Sequence, residues 1–158
     1  MRVEWLILAD YAQAIANKVY IVGGGWDRLT VNDAFPRTQN VGIAASVIVP
    51  WNETNQETTL EIEVLTEDGV SIAKVEAKFN VGRPANLTEG QDQRAQLALN
   101  VPLSFKEPGT YVIVAKLQGQ EEEEKTVFKV VPGPMLAMKQ RFSKTEPSQD
   151  GGNGGEEA

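Results

Sequence analysis

Apolar and polar residues alternate along much of this chain with the period of two that is typical of β-strands. In the segment 58–66, Leu60, Ile62 and Val64 are predicted to face a core, while the two glutamates between them face solvent. Alternation or short apolar runs predict the remaining strands at 3–9, 18–23, 28–31, 41–49, 70–81, 97–105, 111–117 and 126–131. The segment 28–31 is interpreted as a continuation of the preceding strand beyond a bulge, so the count is eight or nine.

Turn residues separate most of these strands at hairpin distance. Pro108-Gly109 and Gln118-Gly119-Gln120 bracket one strand, and the strand after them ends at Pro132. Many immunoglobulin-like domains end with such a hairpin. The alanine-rich segment 10–17 is expected to form one or two helical turns. The prediction is therefore an all-β fold, an antiparallel immunoglobulin-like or C2-like β-sandwich that occupies residues 1–132.

The pattern changes after Pro132. Met135, Met138 and Phe142 would share one face of a short helical segment at 135–142. This segment is either a docking peptide or a few frayed residues. From residue 143 onward small and polar residues dominate, so 133–158 is predicted to be a flexible, disordered tail.

Composition excludes several functional classes. The 158 residues contain no Cys and no His and have a formal net charge of -7, which disfavours binding to nucleic acids and anionic membranes. The missing ligands disfavour zinc and copper sites, and thiol and histidine catalysis lose their reactive groups. No apolar run reaches the ~20 residues of a membrane span. These observations predict a cytoplasmic protein without a cofactor.

A glycine-rich loop is the candidate interaction site, with the residues Gly23, Gly24, Gly25, Trp26, Asp27 and Arg28. Phosphate binding is rejected because the spacing fits neither a P-loop nor a dinucleotide fingerprint. The glycines would allow positive φ and close approach by another group, beside an aromatic ring, a carboxylate and a guanidinium. The alternative interpretation is a glycine bulge that lets Trp26 fold back over the core.

Catalytic groups are sparse. Ser71-Ile-Ala-Lys74 matches a serine–lysine motif, but residues three apart on a strand point to opposite faces, so the two side chains should not meet unless a phase slip in this strand intervenes. Asp10, Asp27 and Asp33 lie on separate predicted loops or connections, and nothing resembles the acid spacing of an EF-hand. We therefore expect no enzymatic activity, and calcium or sugar binding is the alternative function.

The N-terminal half resembles a family of uncharacterised bacterial β-sandwich proteins, catalogued as a domain of unknown function. The likeness rests on Leu6-Ile-Leu-Ala-Asp10-Tyr-Ala12, on Asn17-Lys-Val-Tyr-Ile-Val-Gly23 and on Trp26-Asp27-Arg28-Leu29, together with the Pro108-Gly-Thr-Tyr111 hairpin. It covers roughly residues 3–131. Asn17 stands where the family usually has Gly, and the triple glycine is an expansion. The resemblance implies a sandwich fold and a bacterial cytosolic setting, and it supplies no activity.

The leading hypothesis is a non-enzymatic interaction or accessory module with a protein partner. Its binding surface would be the glycine-rich loop or an exposed sheet edge, and such an edge also permits a homo-oligomer. The acidic run 121–124 is interpreted as protection of the last strand's edge, and the other interpretation is a patch for a basic partner.

Overall fold

Nine β-strands in two sheets make up most of the structure, a computed structural model that describes residues 1–143. The strands are β1 (Arg2–Ile15), β2 (Lys18–Gly24), β3 (Arg28–Val31), β4 (Arg37–Val49), β5 (Glu57–Thr66), β6 (Ser71–Asn80), β7 (Gln93–Phe105), β8 (Gly109–Leu117) and β9 (Glu123–Pro132). A 3-10 turn spans Trp51–Glu53, and one α-helix, α1, spans Pro134–Ser143. The prediction of an all-β fold with eight or nine strands is confirmed.

The first sheet has the strand order β2-β1-β4-β7 and is antiparallel throughout, and the second has the order β3-β9-β8-β5-β6. In the second sheet β3 runs parallel to β9, with Leu29 opposite Val130, whereas the other pairs are antiparallel. The expectation that 28–31 continues β2 is therefore wrong. The glycine-rich loop instead carries the chain from one sheet to the other.

Aromatic rings fill the core beneath this crossover. Phe128 makes edge contacts with Phe105 and Trp26, with ring centroids 6.1 and 5.8 Å apart, and stacks on Tyr111 at 5.7 Å. The Tyr111 hydroxyl donates to the backbone oxygen of Glu107 at 2.9 Å. Burial raises the pKa of Tyr111, and the nearby Glu107 charge raises it further. These rings join the two sheets at one end of the sandwich.

Two irregularities in the sequence pattern have local causes. Pro102 lies in β7, which is an edge strand, so its missing N–H costs no ladder bond there. In the segment 70–81 the alternation of apolar residues changes phase between Ile72 and Val75. The change coincides with a register shift in the pairing of β5 with β6, where Val64 lies opposite Ala73 and Leu65 lies opposite Ser71. Ile72 is thus the extra residue of a bulge.

Alanine-rich β1 continues as a strand to Ile15, so the prediction of helical turns at 10–17 is wrong. A two-residue turn at Ala16 and Asn17, with φ of 50° and 58°, joins β1 to β2 and pairs Ile15 with Lys18. Two positive φ angles are typical of the type I′ hairpin turn, which Asn favours. Of the alanines at 10–17, Ala12 is buried against the sheet, whereas Ala14 and Ala16 are exposed.

Helix α1 covers the segment 135–142 for which the sequence predicts a short helix. Its Met135, Met138 and Phe142 are 75%, 63% and 74% exposed. The tail predicted to be disordered lies, from residue 144 on, outside the described residues. Within residues 1–143 no helix combines the length and hydrophobicity needed to cross a bilayer.

Candidate interaction surfaces

The distal half of the β1–β2 hairpin, residues 10–24, leaves the plane of its sheet, and we name it the arm. β1 pairs with β4 from Arg2 as far as Ala9, which lies opposite Gly42. Beyond that point the arm reaches β7, on the far side of β4, through Ala12 and Asn17. The arm therefore crosses the outer face of the first sheet.

Two asparagine side chains hold the arm in place. Asn100 of β7 accepts from the Ala12 N–H at 3.1 Å and donates to the Ala12 carbonyl at 2.8 Å. At the hairpin turn, Asn17 donates to the Arg94 carbonyl at 2.9 Å and accepts from the Gln96 N–H at 3.1 Å. Each asparagine amide thus accepts a hydrogen bond from one backbone N–H and donates one to a backbone carbonyl of the opposing segment.

Small residues form the surface on which the arm rests. Ala9 and Ala44 are fully buried although they belong to the outer face of the first sheet. A Cβ atom on Gly42 would come within 2.8 Å of the backbone of Tyr11 and Ala12. Since real Cβ atoms do not approach that closely, glycine is required at position 42 for the arm to lie down.

The outward side of the arm is mostly apolar, with Gln13 and Lys18 as its polar members. Tyr11 lies opposite Val22. Tyr20 is two positions from Val22 and Ile15 is four positions from Tyr11, so all four side chains point to the same side of the hairpin. Tyr11, Ile15, Tyr20 and Val22 are 46%, 50%, 53% and 60% exposed. We name these four residues the arm face. Four large apolar side chains side by side on a supported hairpin distinguish this surface from singly scattered apolar residues, which are common on proteins.

The predicted interaction loop lies at the base of the arm. Gly23 and Gly25 have positive φ, of 59° and 81°, and the Gly25 N–H donates to the Leu8 carbonyl at 2.7 Å. Asp27 and Arg28 are exposed, and the Asp27 carbonyl accepts from the Lys129 N–H at 2.8 Å. The loop therefore makes a crossover between sheets, and its two charged side chains flank the arm.

Trp26 is the member of this loop that turns inward. Its ring is partly buried against the core and meets Phe128 edge-on. Its indole Nε1 is buried without a hydrogen-bond partner in the described part of the chain. Trp26 thus folds back over the core, as in the alternative interpretation of the loop, and only part of its side chain stays exposed.

A family model for a family of unknown function, DUF6941, matches residues 4–131, which is most of the sandwich. The chain belongs to this family. The match agrees with the predicted membership and begins within one residue of the expected start. No curated protein matches the chain. The family assignment supplies no activity, so the surfaces of this DUF6941 protein carry the functional argument.

Beneath the arm tip, Glu4 is the centre of a polar cluster. Its carboxylate accepts from Nε and a terminal nitrogen of Arg94, each at 2.8 Å, and from the Ser46 hydroxyl at 3.0 Å. The Arg94 hydrogen bonds are the main cause that lowers the pKa of Glu4 from 4.5 to about 2, with Ser46 adding to them. The same contact raises the pKa of Arg94. Arg94 also presents its backbone carbonyl to Asn17, so this ion pair orients the strand that holds the arm tip.

We predict a specific pH dependence for Arg94→Met. Because the folded pKa of Glu4 lies below its unfolded value, the Glu4–Arg94 contact stabilises the fold fully above pH 4.5 and is lost as pH falls towards 2. The variant should unfold at lower urea than the parent at pH 7, and this gap should narrow as pH falls through that window. Urea melts at several pH values measure it.

The matched control is Arg37→Met, which removes an exposed ion pair with Asp33 at 3.0 Å. The urea concentrations at which Arg37→Met and the parent unfold should differ little at every pH, because both side chains of this ion pair are largely solvated. An Arg94→Met gap that is the same at pH 7 and pH 2.5 would contradict the role given to Glu4.

The bulge at Ile72 corrects the expectation for the serine–lysine motif: Ser71 lies opposite Leu65 and Lys74 opposite Glu63, so both belong to the same face of β6. The Lys74 side chain forms an ion pair with Glu61 of the neighbouring strand at 3.4 Å. Within residues 1–143 no three acidic side chains come together in an arrangement that could hold a metal ion.

An open groove of about 650 Å³ beside β7 is lined by Arg83 and Arg94. Arg83 lies 3.7 Å over the Trp51 ring and donates to Thr54, so it supports the 3-10 turn.

Proposed function

We propose that this DUF6941 protein is a non-enzymatic interaction module that binds a protein partner through the arm face. The observation that carries the proposal is the row of four exposed apolar side chains on a hairpin that is anchored to the sheet beneath it. This places the binding surface next to the glycine-rich loop rather than on it.

The chemistry of the arm face favours a protein over other ligands. Tyr11 and Tyr20 combine a large apolar ring with a polar hydroxyl, and tyrosine is enriched in the energetically important parts of protein interfaces. The arm carries one acidic residue, Asp10, and one basic residue, Lys18, so its formal charge is zero. A neutral surface in a chain of net charge -7 offers nothing to phosphate-rich ligands.

Anchoring makes the arm a better binding element than a free hairpin. An isolated two-stranded hairpin is marginally stable in water. Here the Asn100 and Asn17 bonds hold it against β7, and Gly42 lets it lie flat. A partner therefore meets a surface that is already ordered, which lowers the entropy lost on binding.

A pull-down from cells that make the protein tests the proposal. The full tagged chain is compared with Tyr20→Lys and Val22→Lys, which each place a charge on the arm face. The matched control is Val127→Lys, because Val127 is 54% exposed on the second sheet, close to the 60% of Val22. We expect at least one stoichiometric protein, another copy of the chain included, to be lost with both arm variants and kept with the control. Equal recovery with all four proteins would overturn the proposal.

Asp27 and Arg28 form the polar rim of this surface in the proposal. Both are exposed and follow directly from the strand that carries Tyr20 and Val22. Interfaces commonly surround an apolar centre with such charged residues. The calcium- or sugar-binding alternative gains no observation of its own and stays a prediction of the sequence.

The finer expectations about architecture and setting belong to the same proposal. The Tyr111 hydroxyl bond to the Glu107 backbone resembles the tyrosine corner of immunoglobulin-like domains, and it supports that likeness. The parallel β3–β9 pair departs from a purely antiparallel sandwich. A cytoplasmic setting is proposed on the absence of cysteine in a small sandwich, and a bacterial source on the resemblance to the family.

A further inference from the structure

The four sheet edges of this sandwich differ in how they are protected. β7 contains Pro102, and the Asn17 amide bonds two of its backbone groups. β6 presents the charged side chains Lys74, Glu76 and Lys78. β3 is only four residues long, and the part of β9 beyond it begins at the acidic run 121–124. Charge, proline and short length are the usual means by which proteins prevent edge-to-edge pairing.

β2 has none of these protections in its central part. Its residues 19–22 are Val, Tyr, Ile and Val, and the single charge of the strand, Lys18, stands at its start. Among the described residues β2 pairs with β1 alone, so its other side is open. An uncharged, proline-free edge is a template for a further strand.

The hydrogen-bonding groups on this edge can be assigned. Ala12 directs its N–H and carbonyl away from β2 and towards Asn100. Residues directly opposite in an antiparallel ladder share this orientation, so Ile21 directs its own groups away from β1. By the same alternation Val19 does so too, whereas Gly23 leaves the extended conformation with a φ of 59°. Val19 and Ile21 therefore present backbone donors and acceptors outward along one line.

We infer that the occupant of this edge is the β2 strand of a second copy of the chain, paired antiparallel about a two-fold axis. This inference rests on the proposed function, since it names the protein that the arm contacts. Antiparallel pairing of two identical edges makes a closed, isologous dimer and joins the two first sheets into one. With the axis at Ile21, Tyr20 of one copy lies beside Val22 of the other.

Charge singles out this face for self-association. Each chain carries a net charge of -7, so two copies repel over most of their surfaces. The arm has a formal charge of zero, from Asp10 and Lys18, so two arms can meet without net charge repulsion.

The size of the contact predicts a weak dimer. Tyr20 and Val22 are 53% and 60% exposed, and a fully buried aromatic side chain contributes about 150–250 Å². Together they add about 200 Å² per copy to the backbone edge, below the roughly 800 Å² per partner of a standard interface. The dimer should thus be weak, and we expect a dissociation constant in the micromolar range or above.

Sedimentation equilibrium of the purified full chain tests the inference over a concentration series of about 1 to 500 μM, which spans the predicted dissociation constant. The apparent mass should rise from 17.3 kDa towards twice that value. Val22→Lys should weaken the dimer at least tenfold, because the two-fold axis brings both new charges into one interface. Val19→Pro removes an outward N–H and spares the β1–β2 ladder, so it should do the same.

Val127→Lys is the matched control and should dimerise like the parent, and circular dichroism checks that each variant is folded. If Val19→Pro does not fold, the comparison of Val22→Lys with Val127→Lys still shows whether the dimer forms through β2. A dimer that Val22→Lys leaves intact would overturn the inference. The chain could also stay monomeric over the whole concentration series while a pull-down partner still depends on Val22. That result would overturn the assignment of a second copy to this edge and leave the proposed function standing.

Discussion

Replacing Phe128 with alanine should lower the free energy of unfolding by about 4 kcal/mol, the range found for large aromatic truncations in protein cores. Phe128 is 1% exposed and contacts the rings of Trp26, Phe105 and Tyr111, so its removal leaves a cavity between the sheets. Because these rings surround the cavity on three sides, little collapse is possible. Chemical denaturation followed by Trp fluorescence measures the loss.

The adjacent Val127→Ala serves as the control for Phe128→Ala. Val127 lies one position away on the same strand, points to the opposite face and is 54% exposed, so its truncation should cost less than about 0.5 kcal/mol. A loss for Phe128→Ala of under about 1.5 kcal/mol would mean that the aromatic cluster does not hold the sheets together.

Replacing Gly42 with alanine should destabilise the protein by about 2–3 kcal/mol, as overpacking against a rigid neighbour does. The new Cβ would lie 2.8 Å from backbone atoms of Tyr11 and Ala12, so the arm must lift. Lifting also stretches the Ala12–Asn100 bonds. Denaturation measures the global loss, and hydrogen exchange of the amides at 11–22 measures the release of the arm.

Gly109→Ala is the matched control for Gly42→Ala. Gly109 is also a strand glycine with ordinary φ, and a Cβ on it would meet no atom within 4 Å. Since alanine is favoured over glycine inside a strand, this change should be neutral or stabilise by up to about 1 kcal/mol. Faster exchange in Gly109→Ala than in Gly42→Ala would contradict the packing assigned to position 42.

Much of the sandwich could be predicted because alternation reports local structure. Leu60, Ile62 and Val64 are buried as the pattern predicts, and the phase change near Ile72 is a bulge. Pro102 lies in an edge strand, where proline is tolerated, and the closing hairpin lies where its turn residues indicate. In each case the determining interactions lie within a few residues of one another.

The arm could not be predicted, because its cause is tertiary. The alanines of 10–17 suggest a helix by propensity, but Ala12 is small in order to lie on Gly42, which is distant in the chain. Ala16-Asn17 lacks the glycine that usually marks a type I′ turn. Nothing local to Asn100 indicates that its amide bonds a backbone 88 residues away.

The glycine-rich loop stays a predicted interaction site, and the arm face proposed here lies next to it. The glycine-rich loop does have positive φ at Gly23 and Gly25, but it serves to carry the chain between sheets. Trp26 packs inward because β3 pairs with β9, a partner about 100 residues later that alternation alone does not indicate. The signal that was available is the exposed side of β2, where Tyr20 and Val22 share a face.

Site-specific photo-crosslinking at the arm face shows directly whether this surface contacts another protein. A photo-reactive phenylalanine analogue is placed at Tyr11, Tyr20 or Val22 in the full chain, with Val70 and Val127 as equally exposed positions elsewhere. We predict crosslinks to protein, a second copy included, from the three arm positions and not from the other two. Crosslinks of equal yield from all five positions, or from Val70 and Val127 alone, would contradict the assignment of the arm face as the interaction surface.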